Sequence, residues 1–467
     1  MATATRMATT GSALAFMVSL GGMYAAQASV ELIAVGSING TYEDLSSRTA
    51  PPLENGVAGN RLGGIGSGIA YAGGTTFLAL PDRGPNAVSF NSAEDDTVSY
   101  IPRFQTFNLG LAPNPDYDAA STSSLPLVLT PTLRSTTLLS SPTPLTYGNG
   151  TSVGLGSGAP ALNSRRTFYF SGRSDNFDPT QLSTNPRNAR LDPESIRVSN
   201  DGLSVFISDE YGPHVYQFDR PTGHRVRSFT LPDELAVKLS SAVGNTEISG
   251  NKVGRVANKG MEGLAITPDG KTLVGAMQAP LEQDTNSVIR LVSIDIRSGA
   301  THEYAYQLTT GSGVSDIVAI NDHEFLLDER DGKGLGDGSV AKVKQLFRVD
   351  LRGAADITGK SGDLSAFAVP KSLFLNIVVQ LNAKGITSDL VPAKIEGTAF
   401  GPDAKIGGAT RHTLYVANDN DFLASVNGVD NPNKFFVFAF DDADLPGYQP
   451  QPVREQDFLE CGFDVDL

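Results

Sequence analysis

Apolar residues in this chain occur in short runs that end at turn-forming residues. Five pairs of these runs share one pattern, in which the first run opens with a small or acidic residue, a turn follows, and the second run ends in polar residues. Turn signals such as Asp201-Gly202 and Asp269-Gly270 separate the two runs of a pair, and this is typical of β-hairpins. The predicted hairpins cover residues 66–83, 193–210, 261–278, 314–330 and 395–419.

Two further apolar runs follow a typical hairpin, as at residues 215–218 and 226–229. Four antiparallel strands in one unit make a propeller blade, so the pattern predicts an all-β fold, a β-propeller with four-stranded blades around a central channel. Five blades are evident, and we expect six. The sixth would be closed by residues 31–35 pairing with residues 435–438, because closure removes exposed sheet edges.

The N-terminal residues 1–28 have the pattern of a secretory signal peptide. Arg6 precedes the apolar run 13–20, and Ala26 and Ala28 supply small residues for cleavage. The signal predicts a secreted or periplasmic protein.

Residues 29–467 are predicted to form a single propeller domain. Sequences rich in Gly, Ser, Thr or Pro near 113–158 and 331–339 are interpreted as surface insertions. No later stretch is apolar enough for a membrane-spanning helix. Cys461 is the single cysteine and cannot form an intramolecular disulfide. We expect the protein to be a monomer.

The net charge of the chain limits the classes of molecule that it can bind. The chain has 36 basic and 51 acidic residues and a formal net charge of −15. Such a surface repels nucleic acid and favours divalent cations, although a surface that is merely soluble explains the charge equally well.

Acidic residues recur at the open ends of the predicted hairpins. In an antiparallel hairpin, the start of the first strand lies beside the end of the second, and hairpins radiating from one axis would bring these ends to one channel mouth. Carboxylates that meet in a small space need bound cations, raised pKa values or interleaved basic residues. The candidate metal ligands are Asp82, Glu194, Asp209, Glu210, Glu262, Asp316, Glu329, Glu396, Asn418 and Asp419.

Calcium suits this set best, because it takes carboxylate, amide and backbone oxygens as ligands. Zinc suits it poorly, since the five histidines are scattered and Cys461 stands alone. For any one of these acids, capping of backbone amides at a turn is an equally good explanation.

Six sequence blocks resemble the bacterial family described as "esterase-like activity of phytase", and the resemblance extends over residues 62–440. The blocks are LPDRGPN at 80–86, DPESI at 192–196, SDEYGP at 208–213, NKGMEGLA at 258–265, DERD at 328–331 and IEG at 395–397.

The resemblance implies a hydrolase of small-molecule phosphate esters. Calcium ions would bridge the carboxylates and the substrate phosphate and would activate a water molecule. Arg83, Lys259 and Arg330 stand beside the acids in sequence and are candidate catalytic residues that hold phosphate oxygens. Ion pairing with neighbouring acids explains these cations equally well; the acids are Asp82, Glu262 and Glu329.

Two other functions remain open at this stage. One is a metal-dependent lactonase or carboxylesterase on a propeller, and the other is a non-enzymatic, calcium-stabilised binding propeller. Fold alone does not choose among the three.

Overall fold

The computed structural model describes residues 30–87, 96–148 and 158–456, together with residues 1 and 458. The predicted signal peptide (apart from Met1) and Cys461 lie outside the described residues. The predicted fold class is confirmed, since five four-stranded antiparallel sheets form a β-propeller.

The chain enters the propeller through β1 (Glu31–Ile38). Blade 1 contains β2 (Gly68–Tyr71), β3 (Thr76–Leu80), β4 (Arg103–Asn108) and β7 (Thr132–Leu138). Blade 2 contains β10 (Pro193–Val198), β11 (Ser204–Asp209), β12 (His214–Asp219) and β13 (Arg225–Thr230). Blade 3 contains β14 (Met261–Ile266), β15 (Thr272–Met277), β17 (Val288–Asp295) and β18 (Thr301–Gln307). Blade 4 contains β19 (Gly313–Ala319), β20 (Glu324–Arg330), β21 (Lys344–Asp350) and β23 (Lys371–Asn376). Blade 5 contains β24 (Lys394–Ile406), β25 (Ala409–Asp419), β28 (Asn433–Phe440) and β1.

Small ribbons and short helices occur in the loops within and between the blades. The ribbons pair β5 (Leu111–Pro113) with β6 (Leu127–Leu129), β8 (Ser140–Ser141) with β9 (Phe168–Tyr169), β16 (Asp284–Thr285) with β22 (Gly362–Asp363), and β26 (Ser425–Val426) with β27 (Val429–Asp430). The α-helices are α1 (Gly244–Gly250) and α2 (Ile377–Ala383), and 3-10 turns cover Ser47–Thr49, Asp233–Leu235 and Ser365–Phe367. The Asn376 side chain caps α2 by accepting a hydrogen bond from the backbone N–H of Val379.

The described region near residues 113–158, interpreted from sequence as an insertion, includes blade strand β7. This strand pairs with β4 and is the outermost strand of blade 1. In residues 331–339, the other region interpreted from sequence as an insertion, Leu335 forms an isolated β-bridge with Pro392.

The innermost strands form a closed ring of five. They follow the order β2, β10, β14, β19 and β24, and β24 contacts β2 again. Every residue of β10, β14 and β19 is buried, because neighbouring blades cover both faces of each strand. The expected sixth blade does not occur among the described residues.

Pairing of the two chain ends closes the propeller, as predicted. Val35 lies opposite Phe436 in the antiparallel pair of β1 and β28. These two strands complete the sheet that β24 and β25 begin, so the closure belongs to blade 5 and adds no sixth blade.

Glycines allow the inner strands to approach one another closely. A Cβ atom on Gly263 would lie 2.9 Å from the Cα of Asp316, and one on Gly68 would lie 2.9 Å from the Cα of Ser195. A larger residue at either position would push adjacent blades apart.

A buried ion pair lies inside this ring. The Arg197 Nη2 atom donates to both carboxylate oxygens of Asp316 at 2.9 Å, linking blade 2 to blade 4. The same guanidinium donates to the backbone carbonyls of Ile69 at 2.8 Å and Ile317 at 2.8 Å. Arg197 therefore connects blades 1, 2 and 4.

Asp316 extends these connections to the other two blades. It accepts hydrogen bonds from the backbone N–H and the hydroxyl of Thr398 in blade 5, at 2.8 and 2.9 Å. It also accepts from the Ser195 hydroxyl at 3.0 Å, and that hydroxyl lies 3.4 Å from the carbonyl oxygen of Leu264 in blade 3. One hydrogen-bond network thus joins all five inner strands.

The C-terminal segment covers the opposite end of the channel. The Gln451 side chain donates to the Val198 carbonyl at 2.8 Å, and the Arg454 N–H donates to the Asn200 carbonyl at 2.8 Å. Beneath it remains a cavity of about 60 Å³ that includes Tyr448 and Gln451 in its lining.

Replacement of Asp316 tests the stabilising role of the buried ion pair. Asp316→Asn leaves the buried Arg197 charge without its partner, and we expect the free energy of unfolding to fall by about 3–5 kcal/mol. Urea denaturation measures this change. Asp269→Asn, which disrupts an exposed ion pair with Lys271, is the control and should have little effect. Equal losses in the two variants would contradict the assigned role.

Candidate functional site

Three of the predicted acids lie at one mouth of the channel. Glu194, Glu262 and Glu396 stand near the start of the inner strands of blades 2, 3 and 5, and all three are buried. Each lies at an irregularity in the register of its hairpin. Such a bulge turns side chains away from the regular alternation and here brings them into the mouth.

Asp316 does not share this position. In blade 4 the residue that lines the mouth is Ser315, and Asp316 follows it and binds Arg197 deeper in the channel. The corresponding residues of the other inner strands are small: Gly68, Ser195, Gly263 and Gly397. The sequence pattern had aligned Asp316 with the mouth glutamates, and the structure shows that this alignment is one residue out in blade 4. A small residue follows each mouth glutamate, and this signal could have revealed the shift.

The mouth is a cavity of about 290 Å³. Its lining brings together eight of the predicted site residues: Asp82, Arg83, Glu194, Glu210, Lys259, Glu262, Arg330 and Glu396. Asn258, Gln278 and Lys394 also line the cavity, and the sequence analysis did not select them.

Glu329 lies in a separate network on blade 4. Its carboxylate lies 2.5 Å from the Lys371 ammonium and accepts from the Tyr306 hydroxyl at 2.9 Å and from the Gly311 N–H at 2.8 Å. Although burial raises the pKa of Glu329, Lys371 and the backbone donors bring it down to about 2. The network fully explains the buried charge without a metal.

Asp209 and Asn418 hold backbone groups. Asp209 accepts the N–H groups of Asp192 and Tyr211, each at 3.1 Å. The Asn418 side chain accepts the N–H of Lys434 at 2.6 Å. These contacts match the turn-capping explanation left open by the sequence.

Two groups of carboxylates at the mouth have geometry suited to a metal ion. We call Asp192, Glu194 and Glu210 the buried triad, and Asp82, Asp419 and Asp421 the rim triad. Within each triad, one carboxylate oxygen from each residue lies within 4.8 Å of the others. Asp192 and Asp421 are not among the ligands selected from the sequence, although the first opens the DPESI block and the second ends the run Asn-Asp-Asn-Asp at 418–421.

The buried triad contains a carboxylate without a donor. Glu194 is 7% exposed, and its side chain makes no hydrogen bond or ion pair with any described residue. Its companions differ, since Asp192 accepts from Arg83 at 3.1 Å and Glu210 accepts from the Gly260 N–H at 2.8 Å. A buried charge of this kind is costly without a compensating cation or proton.

The electrostatic environment of Glu194 is strongly negative. Burial raises the pKa of this carboxyl well above its ordinary value, and the neighbouring acids Glu262, Asp192, Glu210 and Asp82 raise it further. The position therefore favours a bound cation or a retained proton.

The rim triad already contains a cation. The Lys394 ammonium lies 2.6 Å from Asp419 Oδ2 and 2.5 Å from Asp421 Oδ1. The pKa of Lys394 is raised well above its ordinary value, because Asp419, Asp421, Glu396 and Asp82 outweigh the effect of burial.

The other basic residues at the mouth differ in how they are held. Arg83 pairs with Asp192, while Arg330 pairs with Glu396 and donates to the Ser315 hydroxyl. The exposed Lys259 makes no ion pair with a described residue.

Carboxylates outnumber basic groups at the mouth. The acids are Asp82, Asp192, Glu194, Glu210, Glu262, Glu396, Asp419 and Asp421, and the bases are Arg83, Lys259, Arg330 and Lys394. This excess has to be balanced by protons retained on the acids or by cations from solution.

Residues 60–422 match the profile of a phytase-like family described as "Esterase-like activity of phytase". The chain belongs to this family. The matched region contains both triads and all five inner strands, and family membership fits a hydrolase-type propeller.

A relative from Arthroderma benhamiae, named "Uncharacterized secreted protein", is 31% identical over 290 residues. The match covers 54% of this chain and 53% of that protein, so it spans about half the length of the relative. Among the described residues, no helix has the length and apolar character needed to cross a membrane.

Two solved structures illustrate the structural similarities. The PQQ-bound aldose sugar dehydrogenase of Streptomyces coelicolor matches at 12% identity and a TM-score of 0.30, covering 89% of this chain and 99% of that chain. Sqt1 of Saccharomyces cerevisiae matches at 6% identity and a TM-score of 0.28, covering 79% and 69%. Neither similarity supports a functional argument.

The clustered acids predict how stability depends on pH. Burial and neighbouring acids raise the pKa of Glu262 from 4.5 to about 8, so without a cation the folded state keeps a proton that the unfolded chain has released. The free energy of unfolding should therefore fall as the pH rises from about 4.5 to about 8. Urea denaturation in EDTA measures this slope, and calcium should reduce it. Stability that rises with pH across this window in EDTA would contradict the electrostatic description.

Proposed function

We propose that this protein is a secreted, calcium-dependent hydrolase of phosphate esters that acts at the channel mouth. The observation that carries the proposal is Glu194, a buried carboxylate that faces other acids and has no donor among the described residues. Family membership supports the reaction class.

The donor set suits a hard cation. The buried triad offers carboxylate oxygens only, and no histidine or cysteine is among the residues described in the mouth lining. Calcium accepts such oxygen ligands in flexible geometry, whereas zinc prefers nitrogen and sulfur. Asp192, Glu194 and Glu210 would hold the ion. When bound, it would supply Lewis-acid polarisation of a phosphoryl oxygen and lower the pKa of a bound water.

The basic residues would orient the phosphate group. Arg330 is held in place by Glu396 and Ser315, and Arg83 is held by Asp192, so both present fixed positive charge to the mouth. Lys259 is exposed and free to meet an incoming anion. The cavity of about 290 Å³ suits a phosphate group and a few attached atoms, with the rest of a larger substrate outside.

Secretion is part of the proposal. The pattern of residues 1–28 and the name of the Arthroderma benhamiae relative both support export.

Glu194→Gln tests the cation site. The substitution keeps the size of the side chain and removes one negative charge, so we expect calcium affinity to fall at least about tenfold, with a parallel loss of phosphoesterase activity. Isothermal titration of the folded protein measures the affinity, and melting in EDTA reports folding. Glu329→Gln is the matched control, because it removes the same charge outside the mouth and should leave calcium affinity unchanged. Equal affinity in the wild type and Glu194→Gln would remove Glu194 from the site.

Lys259→Met tests phosphate recognition. Loss of an exposed charge-assisted contact should raise the KM for a phosphate ester about tenfold while calcium affinity stays the same. Steady-state kinetics on phosphomonoester, phosphodiester and lactone panels, with and without calcium, give this result. Turnover of lactones alone would favour the lactonase function, and calcium binding without any turnover would favour a binding propeller.

A further inference from the structure

The two triads at the mouth differ in what compensates their charge. The buried triad contains Glu194, which has no donor among the described residues. The rim triad surrounds an ammonium group supplied by the chain itself, that of Lys394. In the buried triad the cation supplied by the chain, Arg83, pairs with one of the three carboxylates, that of Asp192, and Glu194 has no partner among the described residues. In the rim triad Lys394 pairs with two of the three carboxylates.

We infer that Lys394 is a built-in cation that takes the place of a second divalent ion at the rim triad. The mouth then binds calcium at the buried triad and not at the rim triad. The inference rests on the proposed function, because it concerns the number of ions that the same mouth accepts.

The backbone places Lys394 in this position. It is the first residue of β24 and lies directly opposite Asp419 in the antiparallel pair with β25. Its ammonium lies within 2.6 Å of oxygens from Asp419 and Asp421, so it occupies the space between two of the three carboxylates. Strand pairing fixes the backbone of Lys394 beside the rim triad. A divalent ion would therefore have to break both ion pairs of Lys394 to enter this triad.

The remaining oxygens of the rim triad are partly engaged by backbone donors. Asp82 Oδ1 accepts the Gly84 N–H at 2.9 Å, and Asp419 Oδ1 accepts the Asp421 N–H at 2.6 Å. The ammonium and these two N–H groups leave few free lone pairs for a second ion.

A purely structural ion pair would hold the end of the hairpin together without influencing how many ions bind. The number of bound ions therefore distinguishes a structural role of Lys394 from its role as a built-in cation.

The test is calcium stoichiometry in Lys394→Met, measured by isothermal titration on the mature chain. Methionine keeps much of the side-chain length and removes the charge, which opens three carboxylates to solvent cations. We expect one more bound calcium ion per chain than in the wild type. In the double variant Lys394→Met/Asp421→Asn the additional site should be lost, because one of its carboxylates is gone.

Lys371→Met is the matched control. Lys371 also pairs with a buried carboxylate, that of Glu329, but that acid belongs to neither triad. The Lys371→Met variant should bind the same number of calcium ions per chain as the wild type. Lys394→Gln provides a second variant with the same expected gain if the methionine variant does not fold in EDTA.

Unchanged stoichiometry in folded Lys394→Met or Lys394→Gln would overturn the inference, as would a wild-type protein that already binds calcium at the rim triad. Failure of the proposed function gives a different result. If the wild type binds no calcium or hydrolyses no ester, the proposed function fails, whereas a gain of one ion on removal of Lys394 would still support the built-in cation.

Discussion

The ion pair between Arg197 and Asp316 is the interaction on which the architecture of the channel depends. Buried ion pairs carry a large desolvation cost, and this one is offset by hydrogen bonds from Ser195 and Thr398 and to the backbone of neighbouring blades. Through the Ser195 hydroxyl, the pair is linked to all five inner strands, and both of its side chains are buried. The acids at the mouth are themselves buried, which weakens solvent screening and strengthens their mutual repulsion.

The pseudo-symmetry of the propeller places acidic side chains of several blades close together at the mouth. Equivalent positions on three blades carry Glu194, Glu262 and Glu396, so closing the ring brings like charges together. The chain compensates part of this charge with Arg330, which pairs with Glu396 and lies 3.8 Å from Glu262. Lys394 likewise pairs with two acids of the rim triad, Asp419 and Asp421. Glu194 is the mouth acid with neither an ion pair nor a hydrogen-bond donor among the described residues, and this asymmetry suits the mouth to a cation from solution.

Much of this organisation could be predicted from local sequence pattern. Hairpins are encoded by turn residues and apolar runs, so the five pairs and the convergence of their open ends followed directly. Blade number did not follow, because pairing of β1 with β28 does not reveal that both join the sheet of β24 and β25. The depth of Asp316 depended on a bulge, whose effect on register is not visible in residue spacing. Lys394 also escaped detection, since its role comes from a cross-strand partner 25 residues away.

A crystal structure of the protein with bound calcium, with the ion located by anomalous scattering, would show directly which triad holds the ion. We expect one ion at the buried triad, with oxygens of Asp192, Glu194 and Glu210 at about 2.3–2.6 Å from it. We also expect the Lys394 ammonium to stay between Asp419 and Asp421. A structure at saturating calcium in which the buried triad holds no ion, and Glu194 is instead paired with a basic side chain, would contradict the proposed cation site.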